Sequence, residues 1–356
     1  MKRFGFGAMR LPMLDGEVDK AQFCAMIDEF LAAGFTYFDT AHGYLDGKSE
    51  LAIRDCLCAR YPRESFQLAD KLSAGFFKTR EEVLPFFEEQ LRCTGAGYFD
   101  YYLIHAMSAE RYDFYREVGA FDIIPQLKRE GRVRHFGMSF HDKAEVLDRI
   151  LTEHPELEFV QLQFNYLDYE DPVVESRKCY EVCVKHGKKV SVMEPVKGGA
   201  LAELPADAGA ILDALGGGSH ASYALRFAES FDNVFMVLSG MSTLEQMRDN
   251  LATMSDFRPL DDAELAAVHK VAATLRGKGA IPCTACRYCT SGCPAGIDIP
   301  SYFSCFNSKR MFGRPQSSER YAELTKTAPA PMTASAAASA RRHVPSTSRC
   351  ASCCAR

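Results

Sequence analysis

From Phe4 to about Leu275, short apolar runs alternate with longer amphipathic stretches. The runs Phe4-Gly5-Phe6-Gly7-Ala8-Met9, Phe35-Thr36-Tyr37-Phe38, Phe66-Gln67-Leu68-Ala69 and Tyr101-Tyr102-Leu103-Ile104 read as buried strands. So do Val133-Arg134-His135-Phe136, Phe159-Val160-Gln161-Leu162, Val190-Ser191-Val192-Met193 and Val234-Phe235-Met236-Val237-Leu238. Between them the apolar spacing predicts helices, among them residues 21–33, 81–92, 143–151 and 175–184. Eight β-then-α units in about 270 residues have the size and rhythm of a (β/α)8 TIM barrel. A doubly wound open sheet fits less well, because no Gly-x-Gly-x-x-Gly follows the first strand and opens a helix.

In such a barrel the chemistry collects at the C-terminal ends of the strands. The polar residues expected there are Asp39, Lys71, His105, Ser139, Gln161 with Gln163 and Asn165, Glu194 and Ser239. Each alone has an ordinary explanation, such as a helix cap or a structural histidine. A carboxylate, an ammonium and an imidazole at three neighbouring buried strand ends are harder to dismiss, because a charge there needs a partner.

The segment Gly34-Phe35-Thr36-Tyr37-Phe38-Asp39-Thr40-Ala41-His42-Gly43-Tyr44, followed by Ser49-Glu50, resembles the signature of the aldo-keto reductase superfamily. Lys71 after Leu68-Ala69-Asp70, and His105 in Leu103-Ile104-His105, resemble that family's lysine and histidine strands. The resemblance covers Phe4 to about Leu275 and implies a catalytic tetrad of Asp39, Tyr44, Lys71 and His105. Physical chemistry agrees with it. A phenol with a pKa of about 10 is a weak acid at neutral pH, and a neighbouring ammonium is expected to lower that value. Asp39 would hold Lys71 charged, and His105 would polarise a substrate carbonyl by hydrogen bonding.

The resemblance also implies an NAD or NADP site. Ser139 and Gln161, with Gln163 as an alternate, would hold the carboxamide. The stretch from Glu194 through Lys197 and Gly198 to Gly199 would approach the pyrophosphate, where glycine lets backbone N–H groups come close. Ser239, Gly240 and Met241, with Gln246 and Asn250, resemble the loop and helix that grip the adenosine end. Two departures stand out. Met193 occupies the position of the aromatic residue that many members stack on the nicotinamide. Gln246 replaces the arginine often used for the adenosine 2′-phosphate, which leaves the choice between NAD and NADP open, with Arg248 a candidate substitute.

Beyond the barrel the chain reads Cys283-x-x-Cys286-x-x-Cys289-x-x-x-Cys293-Pro294. This is the ligand run of a bacterial-type ferredoxin, which holds a 4Fe–4S cluster. Structural zinc sites usually draw their sulfurs from two separated pairs, so zinc is the weaker reading. In two-cluster ferredoxins the fourth cysteine serves the other cluster, so a second run is expected. None is printed. From Thr325 to Arg356 there is no Asp, Glu, Phe, Leu, Ile or Tyr, and a tail so poor in apolar surface is expected to be disordered. Read one nucleotide earlier, the codons from Met332 onward permit a second Cys-x-x-Cys-x-x-Cys-x-x-x-Cys-Pro, which points to a shifted frame. The expected organisation is therefore a barrel over residues 1–276, a truncated ferredoxin-type domain over 277–324 and a frameshifted tail over 325–356.

Composition narrows the functions further. The net charge of −5 gives no reason to expect nucleic acid or an anionic membrane as partner. No apolar run reaches spanning length and the start lacks a leader's apolar core, so a cytoplasmic location is expected. Six of the fourteen cysteines, Cys24, Cys56, Cys58, Cys93, Cys179 and Cys183, scatter through helical stretches and read as small hydrophobes. The leading expectation is an NAD(P)-dependent oxidoreductase acting on a small carbonyl or alcohol, joined to an iron–sulfur electron-transfer domain with a redox partner protein. The alternatives are an electron-transfer or redox-sensing protein whose barrel only binds or docks, and a non-catalytic barrel kept for assembly.

Overall fold

The computed structural model describes residues 2–281, 283, 288–291, 293, 297–313 and 316–327. Eight parallel strands close into a barrel: β1 (Phe4–Gly7), β2 (Tyr37–Asp39), β3 (Gln67–Leu72), β4 (Phe99–Met107), β5 (Val133–Phe140), β6 (Phe159–Gln163), β7 (Lys189–Met193) and β8 (Val234–Ser239). Each strand pairs with its sequence neighbours, and β1 closes the ring against β8. All eight coincide with the apolar runs of the sequence. A two-stranded hairpin, Met13–Leu14 with Glu17–Val18, follows β1.

Period-two alternation decides which side chains enter the barrel. Tyr37, Ala69, Tyr101, Leu103, Phe159, Met236 and Leu238 form one buried cluster. Two residues further along their strands, and so on the same inner face, come Asp39, Lys71, His105 and Gln161. The apolar plug is thus the floor on which the polar strand ends stand. Outside the ring, helices bury one face each. Phe30 of the helix Lys20–Ala32 lies 5.9, 5.6 and 5.4 Å from the rings of Phe4, Phe6 and Phe38.

The chain divides into two compact units: residues 1–202 with 218–265, and residues 203–217 with 266–356. The helix Asp262–Arg276, counted with the barrel from sequence, lies mostly in the second unit. That unit also contains the helices Ala206–Asp213, Tyr288–Ser291, Ile299–Phe312 and Gln316–Thr327. The last of these runs to Thr327, three residues into the stretch expected to lack structure, and the Thr325 hydroxyl donates back to Ala322 O at 2.7 Å. The rest of that tail, with Cys350, Cys353 and Cys354, lies outside the described residues. No helix among the described residues is long and apolar enough to cross a membrane.

The interior packing makes one prediction. A Cβ on Gly137 would sit 2.5 Å from the Phe159 ring inside the barrel. Gly137→Ala should therefore lower stability by about 1–3 kcal/mol, seen as a lower urea midpoint. A wild-type midpoint would contradict this packing.

Candidate active site

Lys71 is fully buried, and an ammonium without water must be neutralised by fixed groups. Its Nζ lies 2.6 Å from Asp39 Oδ1 and donates to Thr40 O at 2.6 Å. The other Asp39 oxygen accepts from Gln161 Nε2 at 3.2 Å, so β2, β3 and β6 are tied at one point. Burial alone would lower the Lys71 pKa, but Asp39, then Tyr44 and Asp70, hold it above its ordinary value. The ammonium is permanently charged at physiological pH.

Tyr44 opens a tight turn after β2, where Leu45, Asp46 and Gly47 all take left-handed backbone conformations. Its ring centroid is 4.8 Å from Lys71 Nζ and 6.0 Å from the His105 ring. The expectation that Lys71 brings the phenol below its ordinary pKa is not met. Burial is the largest influence and leaves the value raised, with Lys71 opposing it. Tyr44 is therefore a protonated phenol at neutral pH, and the ammonium counts only as negative charge develops on its oxygen.

His105 owes its position to a bulge. Ile104 pairs with Met138 and Met107 with Phe140, so His105 and Ala106 together oppose Ser139 alone. Ala106 takes a left-handed backbone (φ 52°), and its N–H donates to Ser139 Oγ at 2.7 Å. Ser139, expected at the carboxamide, thus also pins the bulge beside the imidazole. Burial, reinforced by Lys71, holds His105 well below the ordinary imidazole range. Its Nδ1 lies 2.6 Å from Ser73 Oγ. The Ser73 hydroxyl also has Lys71 O within 3.3 Å, but the ring contact is the shorter; with the serine proton turned to Nδ1, the ring proton sits on Nε2.

The residues assigned to the dinucleotide gather around the ends of four strands, β5 to β8. Glu194 and Lys197 take left-handed backbones after β7, as does Gly198. Lys197 is not free for an anion: its Nζ is 2.5 Å from the buried Asp168, which also accepts from Gln163 (2.8 Å) and Asn165 (2.7 Å). Gln163, the alternate for the carboxamide, is committed to the same carboxylate. At β8, Asn250 donates to Ser239 Oγ at 3.1 Å, and the Met241 side chain is buried, leaving its backbone to the loop. Gln246 caps the helix Leu244–Ser255 by accepting from Ser242 N at 2.8 Å. Arg248 does not substitute for the missing arginine. Two positions along a helix is about 200° of rotation, and Arg248 turns to Glu29 at 2.5 Å on another helix.

Sequence reasoning missed two features. The first is Arg10, just past β1, with its stem against Gly240 and its guanidinium beside Gly198; its place beyond a strand's C-terminal end was the available signal. The second lies behind Lys71 on the outer face of β3. There Asp70 and Glu50 are fully buried together, joined by Gln90 Nε2 at 3.0 and 3.4 Å, with His42 Nδ1 2.8 Å from Glu50. Burial pushes both carboxyls up, Glu50 to about 7 against an opposing hydrogen bond with Asp70, and Glu50 raises Asp70 further.

In the second unit, Cys283, Cys289 and Cys293 pack against one apolar cluster of Ile297, Ile299, Tyr302 and Phe303. None of the three is in a disulfide. Asn307 clamps the approach, accepting from Ile281 N at 2.7 Å and donating to Ile281 O at 2.9 Å. Cys286 lies outside the described residues.

A parallel barrel with a buried carboxylate–lysine pair, a phenol and a neutral imidazole at its C-terminal mouth is the framework of a class of oxidoreductases. The family model described as the aldo/keto reductase family matches residues 3–273, and the chain belongs to that family. It is similar to an uncharacterised oxidoreductase of Schizosaccharomyces pombe, 26% identical over 275 residues, covering 70% of this chain and 81% of the relative. It is also similar to the NADH-specific methylglyoxal reductase of Escherichia coli, 23% identical over 335 residues, covering 77% of this chain and 96% of the relative. Among solved structures, the holo form of an aldo-keto reductase of Bacillus halodurans matches with TM-score 0.61 and 23% identity, covering 76% of this chain and 91% of that one. An aldo-keto reductase of Klebsiella pneumoniae in complex with NADPH matches with TM-score 0.61 and 20% identity, covering 76% and 90%. At these identities the structural likeness speaks for the fold.

The buried carboxyl pair makes a prediction about pH. Glu50 keeps its proton in the folded chain to about pH 7 but loses it near 4.5 when unfolded. Its contribution to stability is therefore greatest at low pH and fades as pH rises through 7. Glu50→Gln should gain about 2 kcal/mol over wild type at pH 8 and little at pH 5, in urea melts. Parallel pH profiles for the two proteins would contradict this.

Proposed function

We propose that the barrel catalyses NAD(P)-dependent reduction of a small carbonyl compound, or the reverse oxidation of an alcohol. The observation that carries this reading is the contact of Lys71 with both Asp39 and Tyr44, beside a neutral His105. When bound, the nicotinamide supplies a hydride to the carbonyl carbon. His105 Nε2–H donates a hydrogen bond to the carbonyl oxygen and draws electron density from the carbon. Tyr44 gives its proton to that oxygen, and the alcohol results. Lys71 stabilises the phenolate left behind, which solvent reprotonates. Asp39 keeps Lys71 in place.

The residues at the barrel mouth suit a dinucleotide. Ser139 and Gln161 offer hydrogen-bonding groups at neighbouring strand ends for a carboxamide. Gly198 and Gly240 leave backbone open where a diphosphate would lie, with Ser239, Met241, Gln246 and Asn250 beyond them. NADPH is bound by the Klebsiella relative and the Escherichia relative is NADH-specific, so both cofactors are drawn from the family.

The second part of the proposal concerns residues 277–324, read as a ferredoxin-type domain. Cys283, Cys286, Cys289 and Cys293 would hold a 4Fe–4S cluster, supported by the three described sulfurs sharing one apolar cluster. Such a cluster supplies one-electron transfer, with a redox partner protein as donor or acceptor. A second cluster requires the run that the shifted reading of the tail would restore.

Anaerobic purification tests both parts on one sample. We expect oxidation of NADH or NADPH dependent on an added small aldehyde, and about four irons per chain. No aldehyde-dependent oxidation would reject the reductase; an iron-free chain would reject the cluster. About eight irons would mean a second run in the expressed protein.

A further inference from the structure

Among the described residues three cations lie on or beside the dinucleotide loops, and the structure neutralises two. Lys197 is locked on Asp168, and Arg248 faces Glu29 on the far side of its helix. The third is Arg10. It is exposed, and among the described residues its guanidinium has no hydrogen-bond or ion-pair partner. Its field reaches the Glu194 carboxyl, which burial holds above its ordinary range.

The placement of Arg10 is specific. A Cβ on Gly240 would come 3.2–3.3 Å from the Cβ, Cγ and Cδ of Arg10, and a Cβ on Gly198 would come 3.1 Å from its Nη2. The aliphatic stem thus lies along one glycine of the mouth and the fork beside the other. Ser242 Oγ donates to Arg10 O at 2.9 Å and fixes the backbone from which the side chain departs. Both glycines are spaces that any other residue would fill with a side chain, at the point where the arginine crosses.

We infer that Arg10 is the phosphate-binding cation of this site, clamping the cofactor's diphosphate from the β1 side against the Gly198 and Gly240 loops. This deepens the dinucleotide reading and rests on it. A planar fork suits two phosphate oxygens, and a charge aimed at the diphosphate acts equally on both forms of the cofactor. Gln246 is neutral and Arg248 is turned away, so among the described residues the 2′-phosphate meets no matching cation. Arg10 therefore sets a specificity: NADH and NADPH are both accepted.

The test is fluorescence titration of NADH and NADPH, with ADP-ribose and adenosine as competitors, on wild type, Arg10→Gln and Arg10→Lys. Wild-type affinities for the two cofactors should agree within about tenfold. Arg10→Gln should weaken NADH, NADPH and ADP-ribose by a common factor, roughly 10- to 100-fold, and leave adenosine unchanged. Arg10→Lys keeps the stem and charge but not the fork, so it should recover part of the loss; thermal melting should be unchanged in both variants. Wild-type NADH affinity in Arg10→Gln, a loss confined to NADPH, or no recovery in Arg10→Lys would overturn the clamp while leaving the dinucleotide site standing. A wild-type chain that binds neither cofactor would overturn the dinucleotide reading itself.

Discussion

The Lys71–Asp39 contact joins two buried charges inside a barrel whose floor is aromatic and aliphatic. Neither group could be charged there alone, since isolated burial of an ion costs several kcal/mol. The barrel solves this by geometry. Period-two alternation puts both residues on the inner face one step above the apolar plug, and neighbouring parallel strands bring them together. Thr40 O and Gln161 take the remaining hydrogen-bonding capacity. The pair fixes a positive charge beside a phenol, and this governs the other groups. It adds to the burial that keeps His105 neutral, and it awaits negative charge on Tyr44 without creating any beforehand.

Around that centre the molecule assigns its charges economically. Asp168 holds Lys197 in the loop after β7, and Asn165 holds the same loop by donating to Glu194 O. Asp70 faces outward from the same strand as Lys71 and shares a buried space with Glu50, from the helix Lys48–Ile53, and with Gln90, which also donates to Lys71 O. Lys71 is thus braced from both sides of the strand. Inside, its ammonium is held by a carboxylate; outside, its backbone is held by a network whose protonation depends on pH.

Much of this was legible in the sequence, for physical reasons. Parallel strands buried on both sides produce short apolar runs, and all eight were visible. Asp39, Lys71 and His105 stand at the ends of those runs and Tyr44 in the turn that follows Asp39, so their convergence followed once the barrel was accepted. What escaped depends on three-dimensional detail. The bulge at His105 and Ala106 has no glycine to mark it, and Ser139 as its anchor is a non-local fact. The raised phenol of Tyr44 reflects the balance of burial against a nearby charge, and a sequence reveals only the charge. Lys197 and Arg248 were read as available because their partners, Asp168 and Glu29, are distant in sequence. Arg10 was overlooked because a lone arginine after a strand looks like any solvated charge. In the second unit, three of the four cysteines of the run pack against one apolar cluster.

The central claim is that Tyr44 donates the proton under the influence of Lys71. The most direct measurement is steady-state aldehyde reduction by Tyr44→Phe with NADH and NADPH, alongside the dissociation constant of each cofactor. The account predicts a fall in kcat of roughly 10²- to 10⁴-fold with cofactor affinity unchanged, because the phenol acts only on the developing alkoxide. Wild-type kcat in Tyr44→Phe would contradict it.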